Sequence, residues 1–170
     1  MGTDKALLPV GAGTLLDHML AKLRALDLAE VVVCRDAPGC IADRIPGQGP
    51  LGALHSLSIH YPGRDLLVVP VDMPLLAGGT LAALLTADTG LSRPRHYEGY
   101  LLPLFLPLSS AAILAIATRV TDPAADRSLA ALLRHLSAEI LPLRNPEAEF
   151  ANVNTTAEWG LAVPRLTTPD

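Results

Sequence analysis

The 170-residue sequence predicts an α/β fold with a mainly parallel sheet covered by helices on both faces. Three observations carry that prediction. Apolar residues at 3–4 spacing alternate along the chain with short runs rich in β-branched side chains. The strand-like runs are separated by helical stretches of the length that βαβ units use. Half of the residues are apolar and 18% are charged, which suits one domain with a real core and excludes a mainly disordered chain.

Residues 14–26 (TLLDHMLAKLRAL) place Leu15, Met19, Leu23 and Leu26 on one helical face, with Thr14 as N-cap and Asp17 in the first turn. Residues 30–34 (EVVVC) read as a buried strand. The segment ADRIPGQGPLG is a loop by its glycines and prolines. Residues 51–60 are expected to be helical, and residues 65–71 (DLLVVPV) to form a second buried strand. Residues 80–85 continue as a helix, and residues 100–105 give a weaker strand. Residues 109–119 and 128–136 read as helices, followed by a short strand near 140–143. Thr155 and Glu158 fit the T-x-x-E box that opens a last short helix. Ligands of such folds sit beyond the carboxyl ends of the strands, which directs attention to residues 36–52 and 72–74.

Thirteen Lys and Arg face seventeen Asp and Glu, without a basic block, and aromatics make up 4%. That balance argues against nucleic acid, whether bound through clustered cations or through base stacking. Cys34 and Cys40 are too few for a disulfide scaffold, and no Cys/His spacing suggests structural zinc. Residues 99–118 carry no charge, but Pro103, Pro107, Ser109 and Ser110 divide them into a strand and a helix rather than a membrane span. Met1 is followed at once by polar and charged residues, so the expectation is a soluble, cytoplasmic protein with no membrane partner. Eleven cations are Arg and two are Lys, Lys5 and Lys22, so a lysine beside a motif stands out.

Four segments carry chemistry. In PVDMP, Asp72 follows an apolar run directly; it is either a turn residue or a carboxylate that holds a divalent ion against phosphate oxygens. The loop from Asp43 through Gly47, Gly49, Pro50, Leu51 and Gly52 precedes a helix. Its glycines permit close backbone approach to a flat or anionic ligand, and Asp43 could accept from the amino and imino edge of guanine. It is neither a Walker loop nor a dinucleotide fingerprint, and by itself it also reads as a surface loop. Near the N-terminus, Lys5 in GTDKALL is a point charge suited to phosphate or simply a solvated lysine. In FANVNTT, Asn152 and Asn154 put two amides on one face of an extended stretch, or belong to a loop ended by capping residues. His18, His55, His60 and His135 lack metal-ligand spacing and read as structural or surface residues, His96 lies in a polar turn, and Cys34 ends its strand buried.

In this order the four segments resemble the molybdenum cofactor guanylyltransferases of the nucleotidyltransferase superfamily, over nearly the whole chain. MGTDKALLPVGAGTLLDHML is similar to the segment just after that family's glycine-rich signature. ADRIPGQGPLGAL resembles its guanine loop, PVDMPLL its magnesium turn and FANVNTTAEW its closing motif. Met73 stands where the related cytidylyltransferases carry Gln, which favours the guanylyl branch.

The resemblance implies a three-layer αβα, Rossmann-like nucleotidyltransferase fold in one domain, residues 1–170. It implies a reaction in which the phosphate of the molybdopterin cofactor attacks the α-phosphate of GTP and releases pyrophosphate, with Mg²⁺ as cofactor. Lys5 and Asp72 would be catalytic, with Asp72 the metal ligand. Both would contact GTP together with Asp43, Gly47, Gly49, Pro50, Leu51 and Gly52, while Asn152 and Asn154 would line the pterin side. Other proteins of the cofactor pathway are candidate partners. Because the segment matching the family begins after its first strand and phosphate loop, the sequence is expected to lack that strand. A different phosphorylated acceptor, or a non-catalytic homologue that binds nucleotide or cofactor, are the alternatives.

Overall fold

The structure, a computed structural model, describes residues 4–86, 93–143, 147–153, 158–160, 162 and 166. A 3₁₀ turn at Lys5–Leu7 leads into strands β1 (Pro9–Val10) and β2 (Gly13–Thr14) and helix α1 (Leu15–Arg24). Helix α2 (Pro50–His60), strand β3 (Asp65–Val68) and helix α3 (Gly78–Thr86) follow. Strands β4 (Arg95–Tyr97) and β5 (Leu104–Pro107), helices α4 (Ser110–Thr121) and α5 (Leu129–His135) and strand β6 (Glu139–Leu141) come next, before a second 3₁₀ turn at Glu147–Phe150. These elements fall into two units: Met1–Val31 with Val69–Thr86 and Pro142–Asp170, and Val32–Val68 with Ala87–Leu141.

In the first unit, β1 and β2 pair antiparallel and feed directly into α1. Thr14 closes a full capping box: its hydroxyl accepts from Asp17 N–H at 3.2 Å, and its own N–H donates to Asp17 Oδ2 at 2.9 Å. The Leu15–Met19 pair predicted from 3–4 spacing is buried and packs with Val10, and Val69, Val71 and Trp159 lean on it half-buried. Glu149 Oε2 accepts from Ala77 N–H at 3.2 Å and from the Thr80 hydroxyl at 2.7 Å, anchoring the start of α3.

The second unit is built on a sheet of order β3-β5-β4-β6. β5 runs antiparallel to both β3 and β4, while β4 and β6 are parallel. Three of the four strands therefore point the same way, and β5 makes the sheet mixed rather than wholly parallel. Ser109 caps α4 and Ser128 caps α5, each accepting from the N–H three residues on. The core joins Leu51 and Leu54 of α2 to Leu104 and Leu106 of β5, Ile116 and Val120 of α4, and Leu132 of α5. Residues 99–118 thus divide into a buried strand and a helix, as their prolines and serines predict.

Several expectations are corrected. Residues 30–34 form no strand beyond one parallel bridge, Cys34 to Ile41, and Val32 is 37% exposed. A turn at residues 37–40 brings only Ile41 alongside this run: Ile41 N–H donates to Val33 O and Arg35 N–H to Ile41 O. Cys34 is accordingly half-buried rather than buried. β3 stops at Val68, and its side chains are exposed or half-buried rather than buried. The strand expected over 100–105 lies at Leu104–Pro107.

The polar turn assigned to His96 is the buried strand β4. Arg95, 6% exposed, sets its guanidinium 4.1 Å from the ring centre of its cross-strand partner Phe105. His96 Nδ1 donates toward the carbonyls of Tyr97 and Tyr100 at 3.0 and 2.9 Å. The capping residue Thr155 and the amide Asn154 lie outside the described residues.

Candidate active site

Sequence order alone places the Asp72 turn far from its neighbours in the first unit, and four hydrogen-bonding groups bring them together. Asp4 caps the 3₁₀ turn at Lys5–Leu7 by accepting from Ala6 N–H at 3.0 Å, which fixes the residue that follows it. Lys5 Nζ reaches Asp72 Oδ2 at 3.4 Å, both side chains about a third or less exposed. The main-chain carbonyl of Asp72 accepts from Val153 N–H at 2.8 Å, so the Asn152 segment runs beside the turn. On α1, Lys22 Nζ donates to the carbonyls of Pro74 and Leu76 at 2.5 and 2.8 Å, and His18 Nε2 lies 3.1 Å from the same Pro74 oxygen. Burial pushes the His18 pKa down; its bond to Pro74 opposes this and the nearby Lys22 ammonium adds to it.

This cluster offers one ammonium and one carboxylate in contact at the surface of a rigidly tied turn. Such a pair suits phosphate and a hard cation, since the carboxylate supplies oxygen and the lysine neutralises charge. No group of three or more His, Cys, Asp or Glu that could hold a metal ion occurs among the described residues.

In the second unit the loop before α2 is shaped by glycine. Gly47 and Gly49 adopt φ of +78° and +56°, a region that side chains disfavour, and Pro50 opens the helix at its first position. No side chain caps the start of α2. A Cβ on Gly52 would stand 3.0 Å from Asp43 Oδ2, so the missing side chain is what lets this carboxylate lie against the first turn. Ser56, fully buried, donates to Gly52 O at 3.2 Å and accepts from Arg44 N–H at 2.9 Å, locking loop to helix. Burial pushes the Cys34 thiol pKa up, and the Asp43 carboxylate and Cys40 push it further, which makes it a poor nucleophile.

One cluster thus pairs an ammonium with a carboxylate, and the other is a glycine-shaped carboxylate loop. Residues 1–140 match the model of the MobA-like NTP transferase domain. The chain belongs to that family. It is 39% identical to a molybdenum cofactor guanylyltransferase of Xanthomonas euvesicatoria pv. vesicatoria, over 94% of this chain and 85% of that protein. A molybdenum cofactor guanylyltransferase of Rhizobium leguminosarum bv. trifolii is 34% identical, over 91% and 81%. Among solved structures, molybdopterin-guanine dinucleotide biosynthesis protein A of Archaeoglobus fulgidus superposes with a TM-score of 0.77 at 18% identity, over 96% of this chain and 91% of that one. The 2-C-methyl-D-erythritol 4-phosphate cytidylyltransferase of Thermus thermophilus gives 0.72 at 20% identity, over 96% and 94%. The fold is the α/β nucleotidyltransferase fold, and the protein is a nucleotidyltransferase.

For this NTP transferase, the structure joins three of the positions that the sequence proposed: Lys5, Asp72 and the Asn152 segment in the first unit. Asn152 itself is exposed. In the second unit it joins Asp43 to Gly52. Sequence reasoning missed Lys22, His18 and Glu149 as holders of the Asp72 turn and of α3. The scarcity of lysine was the one available signal, and it pointed to Lys22 as much as to Lys5.

Proposed function

We propose that this nucleotidyltransferase transfers GMP from GTP to the phosphate of the molybdenum–molybdopterin cofactor. An oxygen of the acceptor phosphate attacks the α-phosphorus of GTP, the bond from that phosphorus to the bridging oxygen breaks, and pyrophosphate leaves. The observation that carries the reading is the 39% identity to a molybdenum cofactor guanylyltransferase along 94% of the chain. The Lys5–Asp72 contact supports it, since phosphoryl chemistry of this kind needs charge stabilisation and alignment rather than a nucleophilic side chain.

In this reading Lys5 binds phosphate, Asp43 with the loop of residues 47–52 reads guanine, and Asn152 and Asn154 serve the pterin side. The residues present fit Mg²⁺: Asp72 is a hard oxygen donor, and Mg²⁺ keeps several waters and phosphate oxygens beside one or two carboxylates. When bound there, the ion would withdraw charge from the phosphate oxygens. Lys5 orients the Asp72 carboxylate and neutralises a phosphate beside it. The reaction is assigned to the cytoplasm, where its nucleotide donor is held.

The test is pyrophosphate release with molybdopterin cofactor, Mg²⁺ and each of GTP, ATP and CTP, with mass analysis of the product. The expected product is the guanine dinucleotide, formed from GTP alone. Release with another phosphorylated acceptor but none with molybdopterin would replace this reading.

A further inference from the structure

Lys5 belongs to a recognisable segment, whereas Lys22 sits on α1 with no motif around it. Lys22 and His18 are four residues apart, so both side chains leave one face of the helix. They converge on one peptide: Lys22 Nζ donates to Pro74 O and Leu76 O, and His18 Nε2 donates to the same Pro74 oxygen. Met73, Pro74 and Leu76 are buried, so the carbonyls there require donors. Pro70 and Pro74 have no N–H, and within the turn Leu76 N–H returns to Met73 O at a long 3.3 Å. A charged donor from α1 is the stronger hold on this segment. On the other side, Asp72 O is tied to Val153 N–H at 2.8 Å.

We infer that Lys22, seconded by His18, is a positioning residue for Asp72: it fixes the carbonyls two and four residues on, and so the direction in which the carboxylate leaves the turn. The inference rests on the phosphate and cation role proposed for Asp72. Lys22 acts on the reaction through the turn and is not itself a catalytic residue.

The test compares the full chain with Lys22→Met, Lys22→Gln, Lys22→Arg and Asp72→Ala. Three readouts are taken: amide hydrogen exchange of the turn without nucleotide or metal, Mn²⁺ titration followed by electron paramagnetic resonance, and kcat and KM for GTP. Lys22→Met should speed exchange at Asp72 and Met73, weaken Mn²⁺ binding about tenfold and lower kcat about 10- to 100-fold. At saturating Mg²⁺, KM for GTP should stay within about threefold and exchange elsewhere in α1 should be unchanged, because the variant leaves the proposed guanine and Lys5 contacts in place and alters the alignment of Asp72. Lys22→Arg, still able to donate to both carbonyls, should recover most of the loss. Lys22→Gln, one bond shorter and uncharged, should lose much of the hold on the two carbonyls and shift exchange and Mn²⁺ affinity in the same direction, and it carries the test if the methionine variant does not fold. Wild-type exchange at the turn with wild-type Mn²⁺ affinity in Lys22→Gln or Lys22→Met would overturn the inference. So would a uniform rise in exchange across the protein that the arginine variant does not reverse. Absence of turnover with GTP and molybdopterin in the wild type would instead remove the proposed reaction, leaving exchange and Mn²⁺ binding to decide Lys22.

Discussion

Replacing Gly52 with alanine puts a methyl group where the Asp43 carboxylate meets α2. That carbon would stand 3.0 Å from Asp43 Oδ2 and 3.2 Å from the carbonyl of Ile45. The carboxylate can rotate away, but the carbonyl is main chain, and its neighbour Arg44 is held by Ser56. Two terms oppose each other in stability. Alanine favours the helix by up to about 1 kcal/mol over glycine, less in a first turn, and the crowding of the loop costs a similar amount. The melting temperature should therefore stay within about 4 °C of wild type. Recognition has no such compensation. Under the proposed function the displaced carboxylate forfeits charged hydrogen bonds to guanine worth about 1.5–3 kcal/mol, so KM for GTP should rise about 10- to 100-fold. Pyrophosphate release against nucleotide concentration, with thermal melts on the same preparations, measures both. An unchanged KM and an unchanged preference for GTP over ATP and CTP would refute the reasoning, as would a large melting loss with an equal loss for every nucleotide.

Asp72→Ala should reduce turnover by about three orders of magnitude or more, with little change in melting, since Val153 binds the main chain and not the side chain. Steady-state kinetics beside a melt decide it, and near-normal turnover would remove Asp72 from the reaction. Asp43→Asn should reduce the preference for GTP over ATP and CTP by about tenfold or more, because one acceptor becomes a donor facing donors; competition among the three nucleotides reads it. Thr14→Ala should cost about 1 kcal/mol, as a lost cap does, and lower the melting temperature by a few degrees. Hydrogen bonds from the Thr14 side chain and then its backbone hold the Asp17 carboxyl below its ordinary 3.8. The unfolded chain takes up that proton first, so this contribution is whole above pH 3.8 and is lost as pH falls through the folded value. Asp17→Asn should flatten that part of the acid melting profile relative to wild type.

The helices were legible because their signals are local. Thr14, Ser109 and Ser128 cap them as hydroxyl residues should, and Leu15 and Met19 share a face because 3–4 spacing requires it. The strands were less so, because burial depends on partners that the local pattern does not contain. Residues 30–34 look like a core strand and make one bridge. Arg95 and His96 stand in a polar stretch of sequence and yet are buried: the Arg95 guanidinium lies over Phe105 across the ladder, and the carbonyls of Tyr97 and Tyr100 accept from His96. The site divides the same way. Asp72 and Lys5 stand in recognisable segments, but the groups that hold the turn bind main-chain oxygens more than fifty positions away, as Lys22 binds Pro74. A carbonyl is the same atom in every residue, so its partner leaves no trace in the letters.

Under the proposed function, the buried Ser56 hydroxyl constrains any attempt to change which base this scaffold accepts. Through one oxygen it couples Arg44, just after Asp43, to the peptide of Gly52 inside α2. The loop is thus not an interchangeable cover laid over a fixed helix. A graft from a relative with another base preference would have to carry residues 43–56 as one cassette, helix turns included. A swap ending at Gly49 would leave the new loop hanging from an anchor cut for the old one.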